Sequence, residues 1–393
     1  MFSSRTGWNL TPNALSRLLE EKRRMGEPIL DLTESNPTRC GFSYNSGIFR
    51  IPFPEKLSLY EPEPHGLLSA RKEIAAYYDG KGIRVDPANI FLTASTSEAY
   101  SYLFRLLCNP GESVLVPKPS YPLFDYLCGL NDVEVRHYRL RYDGEWNLDV
   151  DSILENFGPS TRALLLVHPN NPTGSFVKSG DRRWIAEFAQ SHNLSLIVDE
   201  VFGEFSFGSA GGGYESFAAE GSSLTFTLNG ISKFLGLPQM KLAWITISGI
   251  DAVVQLAVKR LEIITDTYLS VNTPVQLSLG VLLGAGRSIT DQVRGRITAN
   301  YRTLHRMTAQ GPVSVLNADG GWNAIVRLPG IMQDEAWALR TLKENNVLVH
   351  PGHLFEIEQE ACAVVSLLPE QTTFSNGIAG LLECVRKAVG PSS

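Results

Sequence analysis

The sequence predicts an α/β fold with a large domain, in which helices sandwich a mostly parallel sheet, and a smaller α+β domain. From about residue 89, short β-rich runs alternate with amphipathic stretches of helical length. Several of these runs are apolar throughout, as strands that are buried on both faces must be. Strands separated by helices form right-handed βαβ units and therefore a mostly parallel sheet. The predicted strands are residues 90–93, 113–117, 133–138, 163–167, 194–198 and 224–228.

A smaller unit follows this sheet along the chain. Two helical stretches, at about residues 250–283 and 290–307, lead to predicted strands at 322–327, 347–350 and 363–368 and a helix at 335–345. We therefore divide the chain into three parts. They are an N-terminal segment that packs on the small domain and a partner subunit (residues 1–60), the large domain (61–290) and the small domain (291–393).

The composition argues against several classes of protein. The 393 residues are 43% hydrophobic and 19% charged, and their net charge of -6 offers no basic surface for nucleic acid or anionic lipid. The sequence has no apolar window of about 18 residues, no signal-peptide pattern and no paired cysteine motif. His350 and His353 flank a Pro-Gly turn, so we predict no metal site. We expect a cytoplasmic protein.

The first candidate site is the run Asn170-Asn171-Pro-Thr-Gly174, which directly follows the predicted strand 163–167. Such a run is also a common turn. Its position at the carboxyl end of a strand is more informative, because open α/β sheets bind ligands there.

An acid and a lysine end two further strands. Asp199 follows strand 194–198, where it either caps a helix or accepts a hydrogen bond from a protonated ring nitrogen. Lys233 follows strand 224–228 and precedes the apolar residues 234–238. Most lysines are solvated, but one that is partly desolvated has a lowered pKa and forms an imine with a carbonyl group.

The fourth candidate is a helix start. Ser95 and Glu98 have the spacing of a capping box, and Ser95, Thr96 and Ser97 supply three hydroxyl groups beside the free N–H groups of a helix N-terminus. The segment is either an ordinary capped helix or a phosphate site. Together the four signals supply what a phosphorylated pyridine aldehyde needs.

This ordered set of motifs resembles the fold type I enzymes that depend on pyridoxal phosphate (PLP), in particular the class I/II aminotransferase family, from about Asp31 to Val389. The resemblance implies that Lys233 forms a Schiff base with the cofactor, that Asp199 pairs with the pyridine nitrogen and that Asn171 binds the phenolic oxygen. It also implies that Ser95, Thr96 and Ser97 hold the phosphate. The implied activity moves an amino group between an amino acid and a 2-oxo acid.

Further positions match by the same resemblance. Tyr121 corresponds to the aromatic residue that stacks on the ring, and Tyr60 to the tyrosine that reaches the phosphate of the partner subunit in a homodimer with shared sites. Ser35 and Asn36 lie in the segment that closes over the substrate, with Tyr121 and Asn171 as further substrate contacts.

Four positions depart from the family pattern. Phe202 stands where a tyrosine donates to the phenolic oxygen, which predicts a raised pKa of the Schiff base. Lys241 replaces an arginine at the phosphate and keeps its charge without the bidentate geometry, and Gly230 replaces a serine.

Val364 stands where the family has the arginine that binds the substrate carboxylate. Arg39 and Arg327 are the candidate replacements. Because this contact is unassigned, a C–S lyase or decarboxylase on the same fold stays an alternative, and a non-catalytic PLP-binding regulator is a second one.

Overall fold

A computed structural model describes residues 1–49, 59–208, 214–358 and 361–390. The strands of the described chain are β1 Leu30–Asp31, β2 Ile90–Thr93, β3 Ser113–Lys118, β4 Glu134–Tyr142, β5 Trp146–Leu148, β6 Thr161–Val167, β7 Ser195–Asp199, β8 Thr225–Gly230, β9 Ala243–Ser248, β10 Ser314–Val315, β11 Asn323–Arg327, β12 Val347–Leu348, β13 His350–Pro351 and β14 Cys362–Ser366. The α-helices are α1 Ala14–Arg24, α2 Leu68–Asp79, α3 Thr96–Leu107, α4 Leu123–Leu130, α5 Val150–Asn156, α6 Ser179–Ser191, α7 Ile231–Phe234, α8 Asp251–Tyr268, α9 Thr273–Thr308, α10 Asp334–Asn345 and α11 Gln371–Val389.

The large domain is organised around an eight-stranded sheet with the strand order β2-β9-β8-β7-β6-β3-β4-β5. The five strands from β8 to β4 are parallel, whereas β9 runs antiparallel to both of its neighbours and β5 runs antiparallel to β4. Alternate side chains of the central strands pack on α3, α4 and α8 on one face and on α5 and α6 on the other. The predicted α/β class and the mostly parallel sheet are confirmed.

The small domain has a second sheet, with the antiparallel order β10-β11-β14-β13. Helices α10 and α11 and the carboxyl half of α9 cover one face of it. The N-terminal segment joins this unit, because β1 pairs with β12 and the backbone N–H of Ser366 donates to the carbonyl of Leu32 at 2.6 Å. The predicted boundary at residue 290 falls inside α9, which packs against both α2 and α11.

Three expectations about secondary structure are wrong in detail. Strand β9 is absent from the predicted set, and the expected strand 347–350 is two short strands, β12 and β13. The break between the two long helices lies at residues 269–272 and not at 284–289. Leu269 has a left-handed φ of 45° that ends α8, and Asn272 caps the N-terminus of α9. Within the described residues, we find no helix with the length and apolar character needed to span a membrane.

Candidate active site

The candidate residues meet at one edge of the large sheet, because parallel strands in register end together. Val167, Asp199 and Leu228 are direct neighbours across β6, β7 and β8. Asn171 follows β6 by four residues, and Lys233 lies in α7, which begins directly after β8. The loops beyond these three ends therefore share one crevice, as the sequence predicts.

Asp199 is a buried carboxylate with two hydrogen-bond donors. The Tyr100 hydroxyl donates to Oδ2 at 2.8 Å, and the backbone N–H of Val201 donates to Oδ1 at 3.0 Å. Burial raises the pKa of Asp199, and these two hydrogen bonds oppose the increase. Tyr100 lies on α3 and is only 3% exposed. Sequence reasoning did not single it out, because an aromatic residue on the apolar face of a helix is also typical of a core.

Lys233 is partly buried, and its amine lies among aromatic rings. Its Nζ lies 5.3 Å from the ring centroid of Trp322 and 5.9 Å from that of Phe202. Burial lowers its pKa, and the charge of Asp199 only partly opposes this effect. In the part of the chain that the structure describes, Nζ forms no ion pair with any carboxylate. The direction of this shift favours the unprotonated, nucleophilic form of the amine.

The loop that carries Asn171 is fixed by its own polar groups. Asn170 is buried, accepts from the Thr173 hydroxyl at 2.9 Å and donates to the carbonyl of Pro119 at 3.3 Å. Oδ1 of Asn171 accepts from Nδ2 of Asn323 at 2.7 Å. Nδ2 of Asn171 is then the group available to donate to a ligand. Asn323, at the start of β11, is a second residue that sequence reasoning missed.

The start of α3 forms a variant of the predicted capping box, in which Glu98 accepts from the residue before the N-cap. The Ser95 hydroxyl accepts from the N–H of Glu98 at 3.2 Å, and the carboxylate of Glu98 accepts from the N–H of Ala94 at 2.7 Å. The first-turn N–H groups of Thr96 and Ser97 have no acceptor within the helix and are the groups that an anion can bind.

Lys241 and this helix start both adjoin the same end of one strand pair. In the antiparallel pair of β2 and β9, Thr93 is opposite Ala243, with Ser95 two residues after Thr93 and Lys241 two residues before Ala243. Lys241 has a left-handed φ of 53° and an exposed side chain. Gly230 has no space for a side chain, because an added Cβ would lie 2.8 Å from Cβ of Ala243.

The two predicted aromatic contacts differ in position. Tyr121 immediately precedes α4 and is half exposed at the edge of the crevice. Tyr60 is 76% exposed, as expected of a side chain that reaches outwards.

The N-terminal segment lies over α7. The Tyr44 hydroxyl donates to the carbonyl of Gly236 at 2.7 Å, and an added Cβ on Gly236 would lie 3.5 Å from Cβ of Pro37. Asn36 caps a short 3-10 helix that ends at Arg39. Ser35 and Arg39 therefore flank the buried Pro37 that packs near Gly236, and their own side chains are exposed.

The contact expected from the family arginine is missing. Val364 is fully buried against Ile325 and Trp146. Arg327 lies at the opposite end of β11 from Asn323, opposite Cys362, and therefore about 13 Å along the strand from the site. Of the two candidate replacements, Arg39 is the one on a segment near Lys233.

The residues fit pyridoxal phosphate as a ligand. A buried amine suits its aldehyde, a buried carboxylate its ring nitrogen, and the Asn171 amide its phenolic oxygen. The helix N-terminus with Lys241 nearby suits its phosphate. The indole Nε1 of Trp322 is buried without an acceptor among the described residues, which is a further polar group that a ligand can satisfy.

Comparison with known proteins gives a consistent result. The sequence model of the family described as aminotransferase class I and II matches residues 56–372. The chain is similar to the glutamate-pyruvate aminotransferase AlaA of Haemophilus influenzae, with 28% identity over 351 residues that cover 86% of this chain and 85% of the relative. It is also similar to the alanine aminotransferase of Mycobacterium bovis, with 28% identity over 342 residues that cover 83% and 78%.

Solved structures agree on the fold. A crystal structure of an aminotransferase from Escherichia coli superposes with a TM-score of 0.85 at 24% identity and covers 98% of each chain. The alanine aminotransferase of Pyrococcus furiosus superposes with a TM-score of 0.87 at 19% identity and covers 98% of this chain and all of that one.

His168, which begins the loop that carries Asn171, makes the fold sensitive to acid. Burial, with a smaller contribution from the charge of Arg182, lowers the pKa of His168 from 6.5 to about 3. Below pH 6.5 the unfolded chain binds a proton that the folded chain does not bind until about pH 3. The free energy of unfolding therefore falls with decreasing pH across this window, by about 1.4 kcal/mol per unit.

We predict that His168→Gln reduces this dependence when urea unfolding is measured from pH 6.5 to 4.5. The exposed His353, replaced by Gln, is the matched control. Equal slopes for the wild type and His168→Gln would show that His168 does not titrate in this way.

Proposed function

Because the chain belongs to the class I and II aminotransferase family and is a PLP-dependent transaminase that acts on an amino acid and a 2-oxo acid, we propose that Lys233, Asp199 and Asn171 form its cofactor site. When bound, the cofactor supplies an electron-withdrawing ring that stabilises negative charge at the substrate Cα. The observation that carries the assignment is the buried Lys233 amine, which faces Asp199 without pairing with it.

Lys233 has two tasks in this proposal. Its amine would hold the cofactor, and once free, the same group would take the proton from the substrate Cα as a general base. Burial supports both tasks, because it lowers the pKa of the amine and so shifts the amine towards its unprotonated form. The rings of Phe202 and Trp322 pack beside Nζ, with centroids at 5.9 and 5.3 Å.

Asp199 keeps the ring nitrogen protonated. A carboxylate that receives two hydrogen bonds is favoured in its ionised form, and the donors here are Tyr100 and Val201. A buried pyridinium needs an opposite charge, since an unpaired buried ion costs several kcal/mol. Tyr100 is therefore a positioning residue for Asp199.

The phosphate is held mainly by main-chain groups. We assign it to the N-terminus of α3, with Ser95, Thr96 and Ser97, and to the charge of Lys241. Gly230 has no side chain to offer the phosphate, and Ala243 occupies the space that a serine side chain would need. Tyr121 covers the ring from the exposed side.

For the substrates, we take glutamate and pyruvate as the first pair to test, because curated relatives are named for that activity. We assign the substrate carboxylate to Arg39, supported by Ser35, Asn36 and the Asn171 amide. Support for this assignment comes from the position of the N-terminal segment over α7 and from the apolar Val364.

We extend the proposal to a homodimer in the cytoplasm. Leu59, Tyr60 and Ile263 are 59%, 76% and 71% exposed, and we assign them to the contact between the subunits. Tyr60 then reaches the phosphate of the partner subunit. All five cysteines are free, which fits a reducing compartment.

The central test is Lys233→Ala. We expect this variant to lose the visible absorption band that the wild type gains with PLP, and to lose transfer of an amino group from glutamate to pyruvate. Lys178→Ala, a half-exposed lysine that pairs with Asp319 outside the site, is the control and should keep both. Measuring alanine and ammonia together separates transfer from elimination. An unchanged spectrum in Lys233→Ala would refute the assignment.

Arg39 is tested by steady-state kinetics. We expect Arg39→Met to raise KM for glutamate roughly tenfold or more with a smaller change in kcat, because a hydrogen bond to a charged group is lost. Arg327→Met, at the remote end of β11, is the matched control and should leave KM unchanged. Equal KM values for both variants would contradict the assignment of the carboxylate to Arg39.

Shared sites are tested by subunit mixing. Lys233→Ala and Tyr60→Ala each damage the sites of their own homodimer. In a mixed dimer, one site combines the intact Lys233 of one subunit with the intact Tyr60 of the other. We therefore expect co-purified mixed dimers with distinct affinity tags to regain up to about half of the wild-type activity, with cofactor absorbance in one site of two. Mixed dimers that stay as inactive as the parents would exclude a shared site.

A further inference from the structure

We propose that Trp322 donates its indole N–H to the phenolic oxygen of the cofactor and so replaces the hydroxyl group that Phe202 lacks. This inference rests on the function proposed above, because it concerns the same site. It adds a cofactor-binding residue that none of the sequence motifs contains.

Trp322 lies where such a donor is needed. Its ring centroid is 5.3 Å from Nζ of Lys233 and 5.3 Å from the ring of Phe202. The aldehyde carbon that reacts with Lys233 and the phenolic oxygen are attached to neighbouring atoms of the pyridine ring. The indole ring, which packs beside Nζ, therefore lies close to where that oxygen would be held.

The indole N–H of Trp322 is unpaired among the described residues. Trp322 is 2% exposed, and its Nε1 has no hydrogen-bond acceptor among the residues that the structure describes. A buried indole N–H normally has a partner, because leaving it without one is costly. A ligand oxygen beside Lys233 satisfies it.

The neighbouring residue points to the same ligand atom. Asn323 follows Trp322 directly and donates to Oδ1 of Asn171 at 2.7 Å. This contact directs Nδ2 of Asn171 towards a ligand acceptor. Trp322 thus supplies one donor, and Asn323 orients a second one on Asn171. Both donors suit an oxygen that carries negative charge.

The proposal changes an expectation from the sequence. A donor to the phenolic oxygen stabilises its ionised form and favours the unprotonated linkage at Lys233, so it lowers the pKa of that linkage. Phe202 alone predicts a raised pKa. With Trp322 as donor, the wild-type linkage has an ordinary pKa, and removal of the indole raises it.

The experiment is a spectral pH titration of four holoproteins: the wild type, Trp322→Phe, Phe202→Tyr and the double variant. We expect Trp322→Phe to raise the pKa of the linkage by about one unit or more, as loss of a hydrogen bond to a charged oxygen does. Adding Phe202→Tyr should return it to near the wild-type value. We also expect Trp322→Phe to weaken PLP binding, measured as the dissociation constant of the apoprotein, and Phe202→Tyr to restore it.

A double-mutant comparison keeps the test independent of folding. Phe202→Tyr should lower the pKa clearly less in the wild-type background than in Trp322→Phe, because the oxygen already has its donor. Equal effects in both backgrounds, or an unchanged pKa in Trp322→Phe, would overturn the role of Trp322. If Trp322→Phe does not fold, Phe202→Tyr alone decides the question. A drop of about one unit in the pKa of its linkage would overturn the role of Trp322, and an unchanged pKa would support that role. A wild-type protein that gains no visible band with PLP would instead refute the proposed function.

Discussion

The active site depends on burying an amine and a carboxylate at one edge of a sheet while keeping them apart. Burial lowers the pKa of Lys233 and raises the pKa of Asp199, so each group is driven towards its neutral form. The neighbours of Asp199 and Lys233 differ. Asp199 receives hydrogen bonds from Tyr100 and Val201 that favour its charge, whereas Lys233 has the rings of Phe202 and Trp322 as neighbours. Imine formation requires the neutral amine, and ring-nitrogen binding requires the charged acid. Burial favours the first state and opposes the second, which the two hydrogen bonds to Asp199 partly restore.

The sheet explains why these residues could be found from the sequence. Strands β6, β7 and β8 are parallel and in register, so residues that end them are neighbours although they are far apart in the chain. Each of Asn171, Asp199 and Lys233 follows an apolar run that is recognisable by itself. The sequence pattern that predicts the strands therefore also predicts where the site lies. The order of the motifs limits the kinds of ligand that fit it. The same reasoning missed β9, although Ala243–Ser248 has the apolar and β-branched composition of a buried strand.

Other parts of the site could not be predicted, because they depend on packing between distant elements. Tyr100 and Trp322 look like ordinary core aromatics in the sequence, and only their contacts with Asp199 and Lys233 distinguish them. The helix break at Leu269 is similar, because a leucine in a left-handed conformation leaves no local signal. The polar run before Pro274 was the available indication, since Asn272 caps the next helix.

The departures from the family pattern form packed pairs and not isolated changes. Gly230 lies so close to Ala243 that a serine there requires the opposite strand to move, and both residues are in the buried interior of the sheet, where close packing resists such shifts. Phe202 likewise packs edge-on against Trp322. In both pairs the group that differs from the family pattern is a hydroxyl that would face an oxygen atom of the cofactor, whereas Lys233 and Asp199, the residues we propose for its aldehyde carbon and ring nitrogen, are kept. In this proposal the chemistry at the substrate Cα depends on those two residues. The oxygen atoms would then be held by main-chain N–H groups, a lysine and an indole without a change of reaction.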